Sequence, residues 1–191
     1  MTNQATADGR ESPRGPIWSA LLLLRQDAPA QVTGAPDTWP RWRVLLPHVL
    51  AATGHYSEPL HNERAGGIAG DVAWLLCRAG SYLEVGGLPA VAKTMVLRAL
   101  ALDEAVYGPN HPKVAIDLNN LTWVLRDLGD PTAARPLAER ALAIDELAYR
   151  TDHPRVVTDL SNLAAILQDL GEHVDAHRLE RRAIALADPK A

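Results

Sequence analysis

Residues 72–107 superimpose on 114–149, and those on 156–188, at a constant offset of 42 positions. His111-Pro112 returns as His153-Pro154, Asp117-Leu118 as Asp159-Leu160, Asn120-Leu121 as Asn162-Leu163, and Asp127-Leu128-Gly129 as Asp169-Leu170-Gly171. The first copy has diverged further. It still keeps Leu76, Leu83, Gly87, Ala92, Tyr107 and the run Ala99-Leu100-Ala101-Leu102-Asp103-Glu104 in register with the second. A period of this size marks a unit that cannot bury its own apolar face and must stack on its neighbours.

Each unit reads as two helices. Leu118, Leu121, Thr122 and Leu125 fall at spacings of three and four, the period of one helical face. Gly129 followed by Asp130-Pro131 ends that helix and starts the next, because Gly suits the left-handed position after a helix and Pro suits a first turn. Leu137, Ala141, Ile144 and Ala148 form the second stripe. Small residues recur where paired helices must come close: Gly80, Thr122 and Ala164 on the first helix, Ala99, Ala141 and Ala183 on the second. Asn110-His111-Pro112 and Asp152-His153-Pro154 are helix-start signals, which makes their histidines structural.

This alternation of large and small residues resembles the tetratricopeptide repeat, whose common form has a period of about 34 residues. The longer period resembles the kinesin light chain type of that repeat, on Leu118-Asn119-Asn120-Leu121, Ala141-Leu142-Ala143-Ile144-Asp145-Glu146 and Gly108-Pro109-Asn110-His111-Pro112. The resemblance implies an all-α, antiparallel helix-pair solenoid of three repeats, over about 72–113, 114–155 and 156–188. Upstream, residues 39–50 (WPRWRVLLPHVL) resemble the segment preceding such repeats in bacterial NB-ARC-type nucleotide-binding regulators. In that family an ATPase module precedes the repeats, and the roughly seventy residues available here are expected to leave no room for one.

The remaining N-terminal sequence divides by composition. Residues 1–16 are polar and rich in Gly, Pro and charge, as in a disordered start. Residues 17–24 are apolar but too few to span a bilayer. Asp8 and Glu11 before the run, with Arg25 and Asp27 after it, argue against a secretory signal and for a helix buried under the repeats. Residues 27–38 read as a linker closing the first segment (1–37). An N-terminal helical extension then covers 38–71, with residues 41–53 forming a helix whose apolar side carries Val44, Leu45, Val49 and Leu50. Residues 56–70 read as loop because of Gly66-Gly67. A net charge of −4 lacks the basic clustering that nucleic acid or an anionic membrane requires, and a cytoplasmic location is expected.

Three chemical signals fail on inspection. Gly87-Leu88-Pro89-Ala90-Val91-Ala92-Lys93-Thr94 resembles a phosphate-binding loop, but the same residues align without a gap on the turn at Gly129, and Ala92 replaces a required glycine. His173 and His177 stand four apart, a metal-compatible spacing, yet no third ligand has diagnostic spacing. Cys77, the single cysteine, sits in an apolar helix as a packing residue. No catalytic residue, cofactor or metal is expected. Glu104 and Glu146 read as helix-surface charge. The last helix keeps the stripe Val174, Ala176, Leu179, Ala183 and Leu186 but has Glu180 where Val96 and Ala138 stand, which predicts a polar cap on the solenoid.

In a tetratricopeptide array the first helices line a concave groove. At 100° per residue, Ile116, Asn119, Trp123 and Arg126 flank the apolar stripe of the second repeat, with Trp74, Cys77, Ser81 and Glu84 equivalent in the first and Thr158, Ser161, Ala165 and Gln168 in the third. Trp123 is the natural anchor, because aromatic residues and Arg dominate binding energies. The resemblance implies that Asn119 holds a peptide amide; Asn120 and Asn162 are expected to point away toward loops. The expected activity is therefore non-catalytic binding of a protein or peptide, with an acidic group meeting Arg126. The alternatives are a sensor or adaptor of an NB-ARC-type system and an enzyme recruiting Glu84, Asp127 or histidines in the groove.

Overall fold

The computed structural model describes residues 16–54, 56 and 63–187, so the expectation of a disordered start lies outside it. Among these residues the secondary structure is helical and free of strands. In chain order the helices are α1 (Pro16–Asp27), α2 (Trp39–Gly54), α3 (Glu63–Val85), α4 (Pro89–Tyr107), α5 (Pro112–Asp127), α6 (Pro131–Ala148), α7 (Pro154–Asp169) and α8 (His173–Ala187). From α3 onward they form three hairpins, each packed on the next.

The turn inside each hairpin is the same object three times. Gly87, Gly129 and Gly171 take φ of 77°, 77° and 79°, a left-handed conformation that costs glycine nothing. Beyond them the N–H groups of Leu88, Asp130 and Glu172 donate to the carbonyls of Leu83, Leu125 and Leu167 at 2.8, 2.9 and 2.8 Å, so the orphan carbonyls of the helix end are paired. Between hairpins, His111 and His153 are the N-cap residues themselves. Each Nδ1 accepts the backbone N–H two residues on at 3.2 Å. Each ring stacks on the tyrosine that closes the preceding helix, 4.7 Å from Tyr107 and 4.1 Å from Tyr149.

Packing inside the hairpins depends on the small residues. Ala99, Ala141, Thr122 and Ala164 are buried, and a Cβ on Gly80 would stand 2.8 Å from Val96 Cγ2. One core cluster crosses the repeat joints, with Val96, Leu121, Leu125, Ala138, Leu160, Leu163 and Ile166 packed together from α4 to α7, while most of the buried side chains of α3 pack with α1 and α2. The inner row of helices is the tighter one. Helices α3, α5 and α7 touch their successors directly. By contrast, α4, α6 and α8 reach one another through long side chains, Arg140 to Glu104 at 2.7 Å and Arg182 to Glu146 at 2.5 Å. The two glutamates thus take the surface role expected of them.

Four expectations need correction. Helix α3 begins at Glu63, well inside the stretch read as loop. Gly70 there is a packing residue, since a Cβ on it would overlap the Tyr107 hydroxyl. Helix α2 buries Trp42, Leu45, Val49 and Thr53, leaving Val44 and Leu50 exposed, because the wholly buried Trp42 indole turns the stripe toward α3. In α1 only Leu21 is fully buried, while Ile17 and Leu23 face outward. In α8, Val174 is 84% exposed rather than part of the stripe. Glu180, half-buried, is held by Gln168 of α7 and by His177 Nδ1 at 3.0 Å.

Two substitutions check this packing. Gly80→Val should destabilise the fold by about 1–3 kcal/mol in urea unfolding, because the added methyl groups have no room against Val96. His153→Ala should cost about 1 kcal/mol through loss of the cap, and a value indistinguishable from zero would show that the imidazole caps nothing.

Candidate functional site

The inner row carries two adjoining cavities. The first, about 350 Å³, lies between Trp74, Cys77 and Arg78 of α3 and Lys113, Ile116 and Asp117 of α5, with Asp103 and Arg155 completing it. The second, about 230 Å³, lies between Asn119, Asn120 and Trp123 of α5 and Thr158, Asp159 and Asn162 of α7, beside Asp145. Ile116 and Arg155 line both, which makes them neighbouring compartments of one groove.

The floors of the compartments repeat as the sequence does. In the first, Asn120 Nδ2 donates to Cys77 Sγ at 2.7 Å, the Cys77 thiol bonds to Asp117, and Asp117 reaches Asp103 of α4. In the second, Asn162 Nδ2 donates to Asn119 Oδ1 at 3.1 Å, Asn119 Nδ2 to Asp159 Oδ1 at 2.6 Å, and Asp159 reaches Asp145 of α6. Every link is displaced by 42 residues, with Cys77 standing in for Asn119. All four aspartates are buried, at 6%, 3%, 1% and 1% exposure for Asp103, Asp117, Asp145 and Asp159.

Burial sets the charge states. It is the main reason the Asp103 carboxyl is raised to about 6 and those of Asp117 and Asp159 to about 7, with Asp145 moved in the same direction. Lys113 opposes the shift at Asp103, and Arg155 opposes it at Asp145 and Asp159. Burial also pushes the Cys77 thiol far up, with Asp117 adding to it, so this sulfur is held as the protonated thiol. Glu84 is lifted to about 7 by burial and then by Asp127.

The residues singled out from the sequence separate into two groups. Trp74, Cys77, Ile116, Asn119 and Trp123 line the two compartments. Ser81, Glu84, Arg126, Ser161, Ala165 and Gln168 line neither. Ser81 and Ser161 turn their hydroxyls onto Cys77 O at 3.2 Å and Val157 O at 2.9 Å, within their own helices. Gln168 is taken up by Glu180. Arg126, expected to await an acidic group, already donates to Asp169 at 2.6 Å and lies 4.8 Å from the Trp123 ring centroid.

Trp74 is likewise covered: the Arg25 guanidinium of α1 sits 3.6 Å from its ring centroid and pairs with Asp71 at 3.4 Å. Arg78 donates to Ala30 O at 3.2 Å, so the segment after α1 walls the first-repeat end of the groove. Trp123 remains 39% exposed beside the second compartment.

Sequence reasoning missed Arg78, Lys113, Arg155 and the four aspartates. It also turned Asn120 and Asn162 the wrong way, for both belong to the groove network. A signal was available in the pairs Asp103/Asp145, Asp117/Asp159 and Lys113/Arg155, each recurring at the repeat period in helices that are otherwise apolar on that side. Among the described residues no group of three or more His, Cys, Asp or Glu side chains is gathered to hold a metal ion, and no helix is long and apolar enough to cross a membrane. Lys93 of the phosphate-loop resemblance lies within α4, past a turn that repeats at Gly129 and Gly171.

Comparison with known proteins agrees with this architecture. The fold is similar to the crystal structure of BtubC (BKLC) from P. vanneervenii, with a TM-score of 0.66 and 20% identity over 78% of this chain. The chain spans 58% of the length of that protein. It is also similar to the nearly identical TPR-like repeats of a candidate kinesin light chain from Podosopora anserina, with a TM-score of 0.54 and 18% identity, covering 90% of this chain and 87% of that one. No curated protein matches in sequence. At these identities the likeness is one of fold. The sequence profile of the tetratricopeptide repeat matches residues 71–147 and again 128–188, and since these spans cover more than half of the sequence, the chain belongs to the tetratricopeptide repeat family.

Proposed function

We propose that this protein is a non-catalytic scaffold that binds an extended segment of a partner protein along the inner face of α3, α5 and α7. The observation carrying this reading is Trp123. Its indole is 39% exposed on an inner row whose equivalent positions hold the small residues Ser81 and Ala165, and it borders a cavity with hydrogen-bonding walls. An indole held by Arg126 and open on its free side offers apolar area at low entropic cost, the character of a binding anchor. Asn119 and Asn162 fix the polar wall beside it.

The partner fitted to this groove is acidic. Lys113, Arg155 and Arg78 line the compartments, and the first two sit at helix starts with their charges directed over Tyr107 and Tyr149. Carboxylates of a ligand would meet these cations at the rim while an apolar side chain covers Trp123.

Panning a random peptide library against the protein tests the reading. Enriched peptides should carry Asp or Glu next to an aromatic or aliphatic residue. Trp123→Ala should weaken the best of them by about 2 kcal/mol or more. The same substitution should change the stability of the fold by no more than about 1 kcal/mol, as at a surface position. Enrichment of Lys- and Arg-rich peptides, or an affinity indifferent to Trp123→Ala, would contradict it.

A further inference from the structure

We propose that Asp103 with Asp117, and Asp145 with Asp159, are two proton-sharing carboxyl pairs that lock consecutive repeats together and set the charge of the groove. The argument is one of hydrogen-bond supply. Asn119 donates to one oxygen of Asp159 and the Cys77 thiol serves Asp117 in the same position, so each network delivers its donor to one member of the pair. On the far side, Asp103 Oδ1 and Asp117 Oδ2, and likewise Asp145 Oδ1 and Asp159 Oδ2, are buried and receive no hydrogen bond from any other described group. The members of each pair are buried and line one compartment together, Asp103 with Asp117 in the first and Asp145 with Asp159 in the second, and within each pair one carboxyl acts on the other. One proton between them satisfies both oxygens at once. Two ionised carboxylates would leave two buried, mutually repelling oxygens without a donor.

Each pair spans the joint between repeats, since α4 contributes Asp103 and α6 contributes Asp145 to carboxyls on the next first helix, α5 or α7. The charged and titratable groups facing them are Lys113 for Asp103, Arg78 and Cys77 for Asp117, Arg155 and His153 for Asp145, and Arg155 for Asp159. With one proton in each pair, the three cations of the compartments outnumber the two remaining negative charges. With both protons lost the balance reverses. The groove is therefore cationic while the joints are locked and anionic once they open.

The pH dependence has a definite sign. Carboxyls raised in the folded state, to about 7 at Asp117 and Asp159 and about 6 at Asp103, confer stability that is complete below the unfolded value near 3.8 and lost as pH rises through the folded values. The window runs from about pH 4 to pH 7. Glu84, raised for separate reasons, adds a slope of the same sign that substitutions at the pairs leave in place.

Thermal unfolding of the full chain between pH 4.5 and 8 tests the proposal, with Asp117→Asn, Asp159→Asn and the double variant beside the parent. An asparagine amide donates where the shared proton stood, at every pH. Each single variant should lose part of the parent's fall in melting temperature with pH, and the double variant should lose more, leaving a shallower residual slope. A double variant with the parent's pH dependence would overturn the proposal. Carboxyl carbon resonances of the unsubstituted chain give a second reading that requires no variant to fold. Two or more aspartates should titrate near neutral pH, and titration of every aspartate below pH 5 would overturn it. Neither readout involves a ligand, so a failed peptide search and a failed proton assignment are separate results.

Discussion

The structure depends on how closely two helices of one repeat can approach. Where α3 meets α4, Gly80 lies against Val96 with no space for a Cβ, and Thr122 and Ala164 are buried at the same position in the next two repeats. Close approach turns each hairpin into a thin wedge with an apolar face on either side. Neither face can be buried within the hairpin, so stacking is the only way to remove both from water. Val96 belongs to the cluster containing Leu121, Leu125 and Leu160, so part of the core is shared between repeats, while Val114, Leu118, Ala141 and Ile144 of the second repeat form a cluster of their own.

Stacking at a fixed period then copies every other feature. A glycine with φ near 78° ends each first helix, and a histidine stacked on a tyrosine opens α5 and α7. The same translation copies a polar network, Asn162 to Asn119 to Asp159 to Asp145, onto Asn120, Cys77, Asp117 and Asp103. Buried polar groups are costly unless each finds a partner, so a network that survives in two copies is an integral part of the repeat joint. Its position under the groove couples what holds the repeats together to the charge a ligand would meet.

The sequence was most legible where periodicity and backbone chemistry agree. Gly129 with Asp130-Pro131 marked a turn that the backbone adopts, and Gly80, Thr122 and Ala164 marked the close approach. It was less legible where one large side chain decides orientation. Trp42 rotates α2 so that Val44 and Leu50 face outward, a consequence of packing against α3 that local pattern does not contain. Gly66-Gly67 read as a breaker inside what is helix, and the glycine that the packing demands is instead Gly70, against Tyr107 far along the chain. Helical geometry put Trp123 and Asn119 on the inner row, where both line the second compartment, but the pairing of Arg126 with Asp169 and of Asp103 with Asp117 joins different helices and had no local signature.

The inner face of α3, α5 and α7 is the surface on which the functional reading stands. Backbone amide and indole N–H chemical shifts, recorded while a library-selected peptide is titrated into the labelled protein, test it most directly. The account predicts that perturbations gather on those three helices and centre on the Trp123 indole. Perturbations confined to the outer row of α4, α6 and α8, with the Trp123 indole unmoved, would contradict it.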